Sequence, residues 1–118
     1  MRARAWPRWV IANVTANALR YSPAGSPPRL TASTRGDRVE VRVIDYGPGV
    51  PEANRHQMFE PFQRLGDTGT TAGVGLGLAV SRGLTEAMHG TLEPKETPGG
   101  GLTMAISLPA APRLAQIP

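Results

Sequence analysis

The chain predicts an α/β two-layer sandwich in which helices pack on one face of a mixed, mostly antiparallel sheet. Three observations carry this expectation. Two stretches place apolar residues at helical spacing, and four short runs have the alternation of half-buried strands. Those runs pair off across two tight, glycine-containing turns. The 118 residues, 40% of them hydrophobic, suit a single domain over 1–118 with one modest core.

The first helix is expected from about Trp6 to Tyr21, with Val10, Ile11, Val14 and Ala18 on its apolar side. Ser22-Pro23-Ala24-Gly25-Ser26-Pro27-Pro28 ends it, since proline and glycine cannot continue the pattern. Arg29 to Thr34 and Arg38 to Ile44 then alternate around Arg35-Gly36-Asp37, a hairpin signal. Asp45 to Pro51 reads as a loop and Ala53 to Phe59 as a short helix. Residues 65–73 are small, polar and turn-rich, which predicts a mobile segment. A second helix is expected over about Leu76 to Met88, stopped at Gly90. Strands near Thr91–Glu96 and Leu102–Leu108 flank the turn Thr97-Pro98-Gly99-Gly100-Gly101, and 110–118 reads as a flexible tail.

Composition removes several classes of function. Cysteine is absent, so disulfides and thiol chemistry are excluded, and the two histidines are far apart in sequence. The remaining oxygen donors favour a hard ion such as magnesium over zinc. The net charge of +4 comes from scattered arginines with Lys95 as the sole lysine, and aromatics make up 5%. That distribution fits a charged soluble surface better than a nucleic-acid interface. No stretch approaches the roughly 20 apolar residues that a bilayer requires. Met1-Arg2-Ala3-Arg4 before Trp9-Val10-Ile11-Ala12 imitates a signal peptide, but Asn13, Thr15 and Asn17 break its apolar core. A cytoplasmic chain without direct membrane insertion is expected.

Three polar constellations stand out. Gly73-Val74-Gly75-Leu76-Gly77-Leu78 runs into the second helix, where close backbone approach and unpaired N–H groups suit a phosphate. Asn13, Asn17 and Arg20 share one face of the first helix beside apolar neighbours. A magnesium-bound phosphate would satisfy those amides; a helix cap or a solvated amide pair is the alternative. Asp45 closes a β-branched run and precedes the sharp turn Tyr46-Gly47-Pro48-Gly49. A carboxylate there can accept from an exocyclic amino group such as adenine's, or can simply serve the turn.

In this order the motifs resemble the catalytic ATP-binding domain of sensor histidine kinases, within the gyrase/Hsp90/kinase/MutL superfamily and its Bergerat-type fold. Asn13-Val14-Thr15-Ala16-Asn17-Ala18-Leu19-Arg20-Tyr21 is similar to the N box, and Asp45-Tyr46-Gly47-Pro48-Gly49-Val50 to the G1 box. Met58-Phe59-Glu60-Pro61-Phe62-Gln63-Arg64 resembles the F box, Gly73 to Leu78 the G2 box, and Gly99-Gly100-Gly101-Leu102-Thr103 the G3 turn. Five ordered boxes are specific where any one would not be. Gln63-Arg64-Leu65-Gly66-Asp67, Gly83-Leu84-Thr85-Glu86-Ala87-Met88 and Thr97-Pro98-Gly99-Gly100-Gly101-Leu102-Thr103-Met104 further resemble actinobacterial potassium-sensor kinases of the KdpD type.

The resemblance implies a role for each matched position. Asn17 would ligand magnesium on the ATP phosphates, supported by Asn13, while Arg20 would neutralise phosphate charge and Tyr21 would pack near the nucleotide. Asp45 would read the adenine amino group. Gly47 and Gly49 would let the base approach closely, and Val50, Phe59 and Thr103 would be among the cofactor-binding residues. Gly73, Gly75 and Gly77, with Val74, Leu76 and Leu78 between them, would present backbone donors to the phosphates. Residues 65–73 would form the ATP lid, with Arg64 reaching the terminal phosphate. Phe59 and Phe62 would anchor that lid or meet a partner domain, unless they are core aromatics.

Asn13 also bears on the reaction. ATP-hydrolysing relatives place a glutamate there as general base, and asparagine cannot take that proton. The resemblance therefore implies slow hydrolysis and phosphoryl transfer to a histidine on a separate dimerisation and phosphotransfer domain, indirectly serving a response regulator. His56 precedes Gln57 and His89 precedes Gly90, so neither resembles that acceptor. The match starts at the N box, which implies an N-terminally truncated domain, the cytoplasmic end of a membrane-bound sensor. Pro7 and Trp9 depart from the usual polar residues, and Leu102 and Met104 from the usual G3 residues. A stand-alone switch or anti-sigma-type serine kinase of the same fold is the alternative. The Phe59–Phe62 box argues against it.

Overall fold

The computed structural model describes residues 8–60 and 74–110. Arg64, Phe62, Gly73, the lid predicted over 65–73 and the tail from 111 lie outside the described residues. Seven elements follow in order: helix α1 (Arg8–Tyr21), strands β1 (Arg29–Arg35) and β2 (Arg38–Ile44), a 3-10 helix (Glu52–Phe59), helix α2 (Val74–Ala87), and strands β3 (Thr91–Glu96) and β4 (Leu102–Pro109).

Helix α1 buries Val10, Val14 and Ala18, a stripe of every fourth residue. It ends where Ser22 N–H reaches back to the Ala18 carbonyl (3.0 Å), and Pro23 prevents continuation. The β1–β2 hairpin closes on the pair Arg35–Arg38, with Gly36 at φ 65° supplying the turn. The expected short helix has 3-10 geometry, opening with Asn54 N–H on the Pro51 carbonyl (2.8 Å). Helix α2 ends on a doubly satisfied cap in which Gly90 N–H bonds the Thr85 carbonyl (2.9 Å) and His89 stands at φ 67°.

The strand order is β1-β2-β4-β3, and every pairing among the described residues is antiparallel. Strand β4 is therefore interior although it comes last of the four, and Leu102 through Ile106 are all buried. With Val10, Val14, Ala18, Val43, Met58 and Leu92 it forms the core, while the helices pack over β2 and β3. Strand β1 departs from the alternation expected of it. All seven of its residues are exposed, Leu30 by 47%. Pairing through its backbone holds β1 in place without burial of an apolar face.

Helix α2 begins at Val74, two residues earlier than expected. Gly75 and Gly77 thus belong to its first turn, not to a loop before it. Glycine weakens helix interiors, but the first turn still carries N–H groups without intrahelical partners.

Candidate functional site

The end of β2 delivers Asp45 into a corner made by β4 and the β3–β4 turn. Asp45 is 3% exposed. Its amide donates to the Leu102 carbonyl (2.8 Å), and Oδ1 accepts from the amides of Leu102 (3.2 Å) and Gly47 (2.9 Å). Among the described residues no group donates to the second carboxylate oxygen. One oxygen thus fixes the side chain, and the other is left to accept from an outside donor. The Asp45 carbonyl is held as well, by the Thr97 hydroxyl at 3.1 Å.

Three glycines make this corner possible. A Cβ on Gly47 would collide with the carbonyl of Tyr21, so the Asp45 loop passes directly under the end of α1. Gly101 stands at φ 123°, and its Cβ would strike the Asp45 carbonyl oxygen and come within 2.9 Å of Tyr46 Cα. Gly49, at φ 77°, faces Gly101 from the opposite loop. The glycine pattern of both boxes therefore reports backbone packed on backbone, which no side chain would permit.

The second half of the site lies between the two helices. Asn13 is half-buried on α1 and donates Nδ2 to the Trp9 carbonyl one turn earlier (3.0 Å). That leaves Oδ1 toward α2, where an added Cβ on Gly77 would lie 3.2 Å from it. Two motifs 64 positions apart thus meet at contact distance. Asn17 follows one turn later, also half-buried, and Arg20 lies exposed in the last turn of α1. Tyr21 is 37% exposed, its carbonyl against Gly47.

Other predicted residues serve the frame. Val50 and Leu78 are half-buried and pack against the core. Phe59 also packs there, its ring covered by the Arg82 guanidinium at 4.1 Å, so α2 and the 3-10 helix are joined by a cation–π contact. Thr103 is 4% exposed, and its hydroxyl lies 2.8 Å from that of Thr97. Val74, Gly75 and Leu76 lie in the first turn of α2. An open cavity of about 480 Å³ lined by Ser26, Pro27, Pro28, Arg29 and Tyr46 contains none of the predicted site residues.

Thr97 entered the sequence reading only as part of a turn and of a KdpD-like segment, with no role of its own. The signal that points to it is a pair of threonines flanking three glycines, Thr97 and Thr103, whose buried hydroxyls meet across the turn.

A two-layer sandwich with a fixed carboxylate at the end of β2 and a glycine-rich helix start against α1 fits the class of nucleotide-binding domains. The profile of the histidine kinase-, DNA gyrase B- and HSP90-like ATPase family matches residues 3–112. Sensor protein KdpD of Rathayibacter rathayi is 53% identical over 102 residues, which are 86% of this chain and 12% of that protein. The chain thus spans about an eighth of the curated relatives it matches. Among solved structures, the mycobacterial sensor histidine kinase MprB superimposes with a TM-score of 0.77 at 29% identity, covering 88% of this chain and 72% of that one. Full-length ShkA in complex with AMPPNP gives 0.74 at 34% identity, covering 88% of this chain and 21% of that one. The chain belongs to the histidine kinase-, DNA gyrase B- and HSP90-like ATPase family, as a histidine kinase catalytic domain. Its likeness to KdpD sensor kinases runs over most of its length.

Proposed function

We propose that this domain binds ATP as its magnesium complex and passes the γ-phosphoryl group to a histidine on a separate dimerisation and phosphotransfer domain. The observation that carries the reading is the meeting of Asn13 Oδ1 and Gly77 at one end of a site whose other end is the fixed carboxylate of Asp45. The free carboxylate oxygen accepts from the adenine amino group. Gly47, Gly49 and Val50 shape the base pocket, and the glycine-rich run of sequence from Gly73 to Leu78 donates backbone N–H groups to the phosphates.

The donor set suits magnesium on a phosphate. Among the described residues no cluster of histidine or carboxylate side chains could hold a metal by itself. Asn17, aided by Asn13, would supply an amide oxygen, with the remaining ligands coming from phosphate and water. Bound there, the ion neutralises charge on the phosphates, to which Arg20, Tyr21 and Arg64 add contacts. The acceptor's imidazole nitrogen attacks the γ-phosphorus, the bond to the β-phosphate oxygen breaks, and ADP departs with that electron pair. Positioning and charge neutralisation supply the catalysis, since Asn13 offers no base for water.

Val80 and Leu84 are 42% and 43% exposed and lie four residues apart on α2. This apolar ridge, near Phe59 through Arg82, suits docking of the helical partner domain. The segment 65–73 would close over the nucleotide as a lid. Within a KdpD-like sensor the domain would act on the cytoplasmic side, with potassium or turgor as stimulus and a response regulator as the eventual phosphate acceptor. None of the described helices is long and apolar enough to cross a membrane.

Calorimetric titration of the 118-residue chain with ATP, with and without magnesium, tests the site. Radiolabelled transfer to an added histidine-bearing domain from a KdpD relative tests the reaction. Tight magnesium-dependent binding and label on histidine are expected. Binding that ignores Asp45→Ala would refute the site, and binding without transfer would refute the kinase reading.

A further inference from the structure

We infer that Thr97 is a positioning residue for base recognition: without touching nucleotide, its hydroxyl holds the peptide that aims Asp45. This rests on the reading of Asp45 as the acceptor for adenine. Thr97 is 3% exposed, and its hydroxyl lies 3.1 Å from the Asp45 carbonyl and 2.8 Å from the Thr103 hydroxyl. The proton order follows from chemistry. A carbonyl only accepts, so Thr97 donates its single proton to Asp45, and Thr103 donates to Thr97. Two buried hydroxyls thus form a chain with one direction, ending on the backbone of the base-reading residue.

The backbone of Thr97 is itself fixed. Its amide donates to the Gly101 carbonyl (3.1 Å), and its carbonyl accepts from Gly100 (2.8 Å). β-Branching further restricts the side chain, so the hydroxyl has little freedom to turn away. The Asp45 carbonyl belongs to the peptide joining Asp45 to Tyr46. Rotation of that peptide would carry Gly47 N–H away from Oδ1, and with it the direction of the second oxygen. Gly101 blocks the carbonyl on one side by contact, and Thr97 holds it by a hydrogen bond. Loss of the hydroxyl leaves a buried carbonyl without its donor, which favours that rotation.

A structural role alone would weaken all nucleotides together. A positioning role changes discrimination, because a misaimed carboxylate no longer separates a 6-amino purine from a 6-keto purine. The test compares ATP with inosine triphosphate, whose keto oxygen faces the carboxylate where the amino group would be. Thr97→Val, which keeps shape and removes the hydroxyl, is expected to weaken ATP about tenfold, in line with the loss of a buried hydrogen bond. Inosine triphosphate should change by less than about twofold on the same reasoning, so the ratio narrows. Thr97→Ser restores the parent ratio.

A parental ratio in well-folded Thr97→Val overturns the inference, as does equal weakening of both nucleotides. Should Thr97→Val fail to fold, Thr103→Val must narrow the ratio in the same direction, and an unchanged ratio there also overturns it. Asp45→Ala is measured in parallel. If it leaves ATP binding intact, the reading of Asp45 fails; if it abolishes binding while Thr97→Val keeps the parental ratio, only the role of Thr97 fails.

Discussion

The two ends of the site are built in opposite ways. At the Asp45 end, the amide, the carbonyl and one carboxylate oxygen are each engaged by groups from β4, the β3–β4 turn or the following loop. At the helix end, Asn13 holds one bond to its own helix and meets Gly77 across a small gap, with Asn17 half-buried beside them. The Asp45 end is part of the fold's own hydrogen-bond accounting. The helix end carries fewer such bonds among the described residues. Substitutions at the first should therefore damage stability and recognition together, whereas those at the second should separate them.

The largest effect is expected from Gly101→Ala. It places a side chain at φ 123° and against the Asp45 carbonyl, so we expect a loss of about 3 kcal/mol or more in urea unfolding. Unfolding within about 1 kcal/mol of the parent would show that the corner yields readily, and the contrast between the two ends would collapse. Asp45→Ala comes next. One buried and one part-buried amide lose their acceptor, for a loss of about 1–3 kcal/mol, and ATP binding should fall at least about 100-fold by calorimetry.

At the other end, Asn17→Ala should leave the melting temperature nearly unchanged. ATP affinity should fall about tenfold in magnesium and hardly change in its absence. A large loss of stability in this variant would place Asn17 with the frame. The smallest and sharpest test is Gly77→Ala. Alanine favours helix by up to about 1 kcal/mol, yet its Cβ would press on Asn13 Oδ1 at 3.2 Å. Unchanged or raised stability with about threefold weaker ATP binding is expected, on the scale of a small steric displacement. Equal loss of both would mean that the helix end is as tightly built as the Asp45 corner.

Much of this was legible in the sequence because it depends on local rules. Helical spacing located α1, the glycine and proline runs located the turns, and the five ordered boxes indicated the ATP-binding family. The neighbourhood of Asn13 and Gly77 followed from the resemblance, but their contact did not, since it depends on how two helices pack. The exposure of β1 was hidden because alternation reports a strand's chemistry and not how far the helix layer extends. The 3-10 geometry of residues 52–59 likewise differs from α-helix by a single shift in hydrogen bonding, which composition does not encode. Thr97 was invisible for another reason. Its bond to Asp45 spans 52 positions and uses a hydroxyl found in countless turns.

The position of β4 has a consequence for the order of assembly. It is the last strand in the described sequence, yet it lies between β2 and β3 and supplies Leu102 to Asp45. A ribosome-bound chain that has released only the β1–β2 hairpin holds Asp45 without its partners, and an isolated hairpin is marginal in water. Nucleotide affinity should therefore arise late, when the final strand inserts between its neighbours. ATP would then bind only chains in which β4 has inserted, and so selectively protect those chains from proteolysis.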